Sequence, residues 1–303
     1  MKQYVIVAMI MAAGTSYAQT AALYDCIYRY DVEGQTASGD LSETYNCILQ
    51  IGEDRSKFSD YSAFRLDSVS SMPGVDDGLV DEYALKALKT ESYFDQTVMS
   101  SIPDGKIMVY ADMAPERYRY EEKMPLMEWH DAEGTDTVCG YVCRKAVTDY
   151  GGRRWTAWYA LDIPVPFGPW KITGLPGLVM RAEDADGNHR FEAVMFRSAG
   201  CGIAAENKPN VVSISRDGFV ERKNWYDRDP FSTIDPQSIS VMEVMEGKVK
   251  VNGVAVRRHK QGVIPLEYTA GELKKGHKEN PPKPEIVSKG GSIKVVGAGS
   301  MKK

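Results

Sequence analysis

From about residue 20 to residue 257, short runs rich in Tyr, Ile, Val and Leu alternate with polar, glycine-bearing breaks, a pattern that predicts β-hairpins. Residues 23–32 and 41–51 form the first pair, joined by a polar loop containing Gly34 and Gly39. Residues 106–112 and 117–120 read as strands after a turn at Pro103, Asp104 and Gly105. Residues 138–148 and 153–163 make the clearest hairpin, closed by Asp149, Tyr150, Gly151 and Gly152. Residues 177–182 and 190–196 make another, around Asp184, Ala185, Asp186, Gly187 and Asn188. Weaker strand signals fall at 211–215 and 240–244, with a hairpin over 248–257 turning at Asn252 and Gly253.

One segment has helical spacing instead. Over residues 79–93, Leu79, Tyr83, Leu88 and Ala84 or Ala87 share a face. Asp76, Asp77, Asp81 and Glu82 crowd its start, where carboxylates cap the helix and oppose its dipole, a simpler explanation than a metal site. The pattern therefore predicts a mainly β fold over residues 19–268: a curved antiparallel sheet or open barrel of hairpins with one main helix.

The two ends differ from this body. Residues 1–18 have the form of a secretory signal: Lys2 near the start, an apolar stretch from Tyr4 to Gly14, then small residues Ser16 and Ala18 before Gln19. The apolar stretch is too short to span a bilayer, which takes roughly 20 residues. Cleavage between Ala18 and Gln19 predicts a periplasmic or secreted protein, soluble and without a transmembrane anchor once processed. Cys26 lies too far from that site to be a lipidated first residue. From residue 269 onward Lys, Gly and Pro dominate, and this tail is expected to be disordered.

The chain carries 37 Lys+Arg against 42 Asp+Glu, a net of −5 with the basic residues concentrated in the tail, so an acidic body argues against nucleic acid as a partner. The five cysteines all follow the signal, and in an oxidising compartment an odd number leaves a thiol over. Centring the first hairpin near residue 36.5 sets Cys26 opposite Cys47 and makes a Cys26–Cys47 disulfide the expected pairing. Cys139 and Cys143, four apart on a strand, stand roughly 13 Å apart, too far to bridge or to share a zinc ion. His130, His189, His259 and His277 are scattered, and the Asp184–Asn188 run lacks the closing glutamate of a calcium loop. No nucleophile elbow, zinc-protease motif or phosphate loop occurs. The sequence thus assigns no catalytic residue, no metal ligand and no cofactor.

The densest pattern lies in the middle. It runs Val138-Cys139-Gly140-Tyr141-Val142-Cys143, then Gly152-Arg153-Arg154-Trp155-Thr156-Ala157-Trp158-Tyr159. It continues Ile163-Pro164-Val165-Pro166-Phe167-Gly168-Pro169-Trp170-Lys171 and ends Gly174-Leu175-Pro176-Gly177-Leu178-Val179. The prolines make 163–169 stiff and extended, and Leu175-Pro176-Gly177-Leu178 has the residues of a type II turn with Gly177 at positive φ. Together they predict a rigid crossover between two hairpins. Its apolar side chains either cap the sheet core or form the lip of a site made by Trp158, Phe167, Trp170, Leu175, Pro176 and Leu178.

This block resembles the GLPGLI family of exported proteins, named for its last run, with Val179 replacing the final isoleucine. The resemblance extends to Leu49-Gln50-Ile51-Gly52, Ser56-Lys57-Phe58-Ser59, Trp129 and Pro265-Leu266-Glu267. It implies export and kinship but no particular activity. Cys143 sits in the family's Gly-Tyr-x-Cys pattern, which implies a structural bridge, with Cys201 as a candidate partner, or a buried thiol; Cys139 is then the odd thiol. The expected function is a binding or envelope-assembly protein that takes a lipid-like or peptide ligand or an envelope protein on an apolar concave face. The alternative is an exported metal- or thiol-handling protein using Cys, Met and His.

Overall fold

The computed structural model describes residues 20–36, 39–89, 94–206, 211–232, 234–245, 248–256 and 265–269. The expected signal with its Ala18–Gln19 junction, and the tail beyond Thr269, lie outside these residues.

Twelve strands form one sheet. They are β1 (Tyr24–Thr36), β2 (Gly39–Ile51), β3 (Arg55–Asp60), β4 (Gln96–Ser101), β5 (Lys106–Met113) and β6 (Glu116–Lys123). The rest are β7 (His130–Val138), β8 (Tyr141–Tyr150), β9 (Arg153–Ala160), β10 (Leu178–Asp184), β11 (His189–Ser198) and β12 (Val211–Ser213). Their spatial order is β12-β6-β5-β4-β3-β2-β1-β11-β10-β9-β8-β7: two meanders joined where β1 pairs with β11. Each pairing is antiparallel except β12 with β6, which is parallel. The sheet stays open, but its far end curls until β7 approaches β9 and β11, and Arg181 of β10 bonds Asp136 of β7 at 2.6 Å. The expected curved, mainly β fold is the observed one.

Alternation explains the ladders. β4 and β5 bury every second residue, and the inner face gathers Tyr28, Tyr30, Leu49, Phe58, Val98, Val109, Tyr120, Trp155 and Phe191 into one core.

Among the described residues three α-helices are present where the sequence suggests one. α1 (Tyr61–Ser70) and α2 (Asp77–Lys89) lie between β3 and β4, and α3 (Arg216–Arg228) follows β12. Asp60 both ends β3 and caps α1, its Oδ1 accepting from the Ser62 and Ala63 amides at 2.8 and 3.1 Å. Ser215 caps α3 through Gly218 N at 3.2 Å, and Phe219, Val220 and Tyr226 face the core. A separate three-stranded sheet, β13 (Met242–Met245), β14 (Lys248–Val251) and β15 (Val254–Val256), packs by β15 against β5.

Two registers differ from expectation, with consequences for the cysteines. In the first hairpin Cys26 faces Leu49 and Cys47 faces Tyr28. Diagonal positions two residues apart stand about 7–8 Å from each other, beyond disulfide reach. Residues 138–148 are not one strand either: Cys139 and Gly140, both at positive φ, form the turn between β7 and β8.

The crossover over residues 161–177 links two adjacent strands, β9 and β10, and folds back on itself. Gly174 N bonds Pro166 O at 3.0 Å, and Val179 N bonds Phe167 O at 3.0 Å. Gly177 does not occupy positive φ; Gly174 does, at 92°, and so does Trp170, at 54°. Gly177 is required by proximity instead, because a Cβ there would stand 2.2 Å from the Ala160 carbonyl oxygen.

Candidate functional site

The inner face of the sheet is covered by the crossover, by α3 and by residues 265–269. Trp170 packs on Trp155 with ring centroids 6.1 Å apart, and Phe219 of α3 packs edge-on to Tyr120 of β6 at 4.7 Å.

Charged groups tie these covers down. Lys171, with none of its surface exposed, places its ammonium 2.9 Å from both Glu267 carboxylate oxygens and 2.8 Å from Glu122 Oε1, and donates to the Tyr120 hydroxyl. Arg216 reaches Glu267 Oε2 at 2.8 Å and Glu122 Oε2 at 3.3 Å. Burial pushes the Glu267 carboxyl up, but Lys171 and Arg216 outweigh it and hold it below the usual carboxylate range. Burial first, then Glu267 and Glu122, pushes the Tyr120 phenol well up, so it stays protonated and donates to Glu267 Oε1 at 3.1 Å. Beside this cluster, Arg153 pairs with Asp184 at 2.6 Å, and Asp184 Oδ1 accepts from His189 N at 2.8 Å. His189 Nδ1 meets the Tyr30 hydroxyl at 2.7 Å.

Between this floor and α3 lies a cleft of about 60 Å³. Tyr30, Tyr45 and Phe94 form its aromatic side, and Leu266 and Glu267 close one end. Lys223 of α3 enters it and stands 2.8 Å from Asp95 Oδ2 and 2.7 Å from Asp227 Oδ2. Burial opposes the Lys223 charge, but Asp227 and Asp95 outweigh it and hold the ammonium above the ordinary lysine range. Gln96 also lines the cleft; it is 6% exposed, and its Oε1 has no hydrogen-bond partner among the described residues. A buried amide oxygen without a partner costs about 1–3 kcal/mol, which a ligand donor can relieve.

The sequence-derived lip is placed differently. Phe167, Trp170, Leu175 and Leu178 are buried in the core, and only Pro176 of the crossover candidates is exposed. Trp158, on the face of β9 opposite Trp155 by alternation, lies under the Arg181 guanidinium at 3.8 Å and the Lys145 ammonium at 5.6 Å. None of the six lines the cleft. The rim is a cap on the core, because the crossover folds inward rather than flaring out. The cysteines stay as thiols: Cys26, Cys47 and Cys143 are buried, and Cys139 is exposed. Cys201 contacts Gln50 Nε2 and Ser68 Oγ, each at 3.8 Å, while Cys143 donates to Tyr141 O at 3.5 Å, so the Cys143–Cys201 bridge is not made. Among the described residues no three His, Cys, Asp or Glu side chains gather to hold a metal.

Sequence reading missed Gln96, Lys223, Asp95 and Arg216. The signal for α3 was present: a Ser215 cap, Phe219 and Tyr226 seven apart, and a Lys223–Asp227 pair at i,i+4. The segments that carry the family resemblance are distant in sequence but meet here. Lys171 bonds Glu267, and Trp129 Nε1 donates to Thr173 O at 2.9 Å.

The arrangement defines an open, strongly curved sheet whose inner face is roofed by a helix, a proline-rich crossover and a C-terminal segment. No family model and no curated protein matches the chain. Among solved structures it is similar to PNGF-II in the P21 and C2 crystal forms, with TM-scores of 0.48 and 0.45 and 16% identity. That match covers 69% of this chain and 34% of PNGF-II, so the chain spans about a third of that protein. A putative outer membrane lipoprotein-sorting protein domain from Vibrio parahaemolyticus matches with a TM-score of 0.21 and 9% identity, over 60% of this chain and 88% of that one. At these scores the likeness says nothing of activity, which rests on this chain's own residues. No helix among the described residues is long and apolar enough to cross a membrane.

Proposed function

We propose that this chain is an exported GLPGLI-type binding protein of the cell envelope whose ligand enters the cleft between the sheet and α3. The observation that carries the reading is Gln96: a buried amide with an unmatched Oε1, on a residue that lines a cleft already holding an aromatic side and a fixed Lys223–Asp95–Asp227 cluster. The cleft is small, about 60 Å³, so a lipid-like ligand inserts only part of itself, such as a head group, and a peptide one side chain. The signal peptide supports export, and the apolar walls with few polar groups suit a binding site.

The test is native mass spectrometry of protein folded in the periplasm, for the natural chain and for Gln96→Leu. A co-purifying small molecule that is lost from the variant is the expected result. Without ligand, Gln96→Leu is expected to be neutral or stabilising by about 1 kcal/mol, since it removes an unmatched buried acceptor. An empty natural protein, or a ligand retained by Gln96→Leu, overturns the assignment.

A further inference from the structure

Residues 265–269 cross the inner face without joining either sheet. Side chains from four separate places hold them. Arg153 of β9 donates to the Pro265 carbonyl and, at 3.4 Å, to the Tyr268 hydroxyl, with its guanidinium 5.5 Å from the Tyr268 ring centre. Lys171 of the crossover takes both Glu267 oxygens at 2.9 Å. Tyr120 of β6 donates to Glu267 Oε1 at 3.1 Å. Arg216, the first residue of α3, takes Glu267 Oε2 at 2.8 Å and the Tyr268 carbonyl at 3.3 Å.

Two main-chain carbonyls, one carboxylate and one aromatic ring are therefore read within four residues. Grooves that recognise extended peptides combine contacts in this way, with main-chain groups anchoring and side chains selecting. We infer that Arg153, Lys171, Arg216 and Tyr120 form a recognition groove for an extended peptide bearing a glutamate followed by an aromatic residue, and that this chain fills it with its own residues 265–268.

Charge makes the groove demand such an occupant. Without Glu267, the Lys171 ammonium and the inner edge of Arg216 share one partly buried carboxylate, Glu122. Asp217 meets Arg216 at Nη1, at 3.1 Å, and is itself half-exposed. A fully buried ammonium and a guanidinium against one partly buried anion are costly, so the groove selects an anionic guest. Arg153 Nη1 is already matched by Asp184, and its Nη2 reads carbonyl and phenol rather than a second carboxylate. The segment is tethered to its own groove, so its local concentration is high and a competing peptide enters only when the tethered one is weakened.

The groove adjoins the small-ligand cleft, which Pro265, Leu266 and Glu267 also line, but its test reads peptide binding and leaves Gln96 unchanged. A fluorescent peptide spanning residues 262–270 is titrated by anisotropy into the full chain and into Glu267→Ala/Tyr268→Ala. The double variant is expected to bind it at least about tenfold more tightly than the natural chain, whose groove is filled. A peptide with glutamine at the Glu267 position should lose about tenfold or more, the weight of a charge-assisted contact. Arg153→Met added to the double variant should weaken binding likewise. A folded double variant that ignores the peptide, or takes the glutamine version equally well, overturns the proposal. Should the double variant fail to fold, a protease site placed within 257–264 of the otherwise natural chain serves instead. After cleavage the severed segment should stay bound and be displaced by excess peptide. A severed segment that leaves at once, or one that no peptide displaces, overturns it equally.

Discussion

Replacing Lys171 by methionine keeps the side chain's length and apolar stem while deleting the charge that meets Glu267, Glu122 and Tyr120. Removing one partner of a buried ion pair costs about 3–5 kcal/mol, because the other charge is left without compensation. Here Arg216 still holds Glu267 at 2.8 Å and Glu122 at 3.3 Å, so the lower end, about 3 kcal/mol, is expected at neutral pH. For a chain of this size that corresponds to a fall in Tm of about 6–12 °C. Lys171→Met/Glu267→Leu should recover much of the loss, since apolar replacement of a whole buried pair is often near neutral.

The pH dependence gives the sharper check. In the natural protein the Glu267 carboxyl is depressed in the folded state. It therefore contributes stability above its unfolded value of about 4.3, and loses that contribution as pH falls through the folded value. Without Lys171, one of the two cations that oppose burial is gone and Arg216 alone remains, so the folded value moves up from its depressed position and protonation costs the variant less. The deficit of Lys171→Met relative to the natural chain should shrink between about pH 7 and about pH 4.5. Thermal melts across that window test it. A deficit that stays constant or grows on acidification, or a double variant as unstable as the sum of its singles, refutes the coupled network.

Gly177→Ala sets a methyl 2.2 Å from the Ala160 carbonyl oxygen, and a loss of about 3 kcal/mol or more is expected by denaturant titration, where a change under about 1 kcal/mol contradicts the close approach. Thiol labelling of the reduced, folded protein should modify exposed Cys139 first and half-exposed Cys201 next. Burial pushes Cys26 and Cys47 up and Cys143 up to about 11, so these three should react only on unfolding, since the thiolate is the reactive form. Labelling of Cys26 at the rate of Cys139 contradicts that order.

Much of the sheet was legible because alternation and turn chemistry agree along most strands: Gly151 and Gly152 both take positive φ where the two-residue turn requires it. Register was less legible. Moving the first turn by one residue moves each cross-strand pairing by two, so Cys26 meets Leu49 while the buried face stays the same. β7 was invisible because it is an exposed edge, polar and bulged between Ala132 and Thr135, with no apolar face to announce it. The candidate site was least legible. Its groups come from β4, β6, the crossover, α3 and the C-terminal segment, and single charged residues such as Lys171 or Lys223 look in sequence like any solvated lysine.

The crossover explains why those charges can be buried at all. β9 and β10 are antiparallel neighbours, so a two-residue turn would have joined them, yet the chain runs through residues 161–177. Irregular backbone buried under a sheet must satisfy its own polar groups. Pro164, Pro166, Pro169 and Pro176 each remove a donor that no ladder would have met. Other donors are met within the loop or by it: Val165 by Ile163 at 2.8 Å, Ile172 by Pro169 at 3.1 Å, Gly174 by Pro166 at 3.0 Å and Leu178 by Ile163 at 2.9 Å. Gly168 and Gly177 then let the loop lie against Val179 and Ala160 at distances no Cβ tolerates. With these donors met inside the loop, its one buried cation, Lys171, is left to be matched by Glu122 of β6 and by Glu267 from residues 265–269. The proline-glycine spacing, read in sequence as a stiff rim, works in the fold as a platform that holds one lysine where the C-terminal segment must answer it.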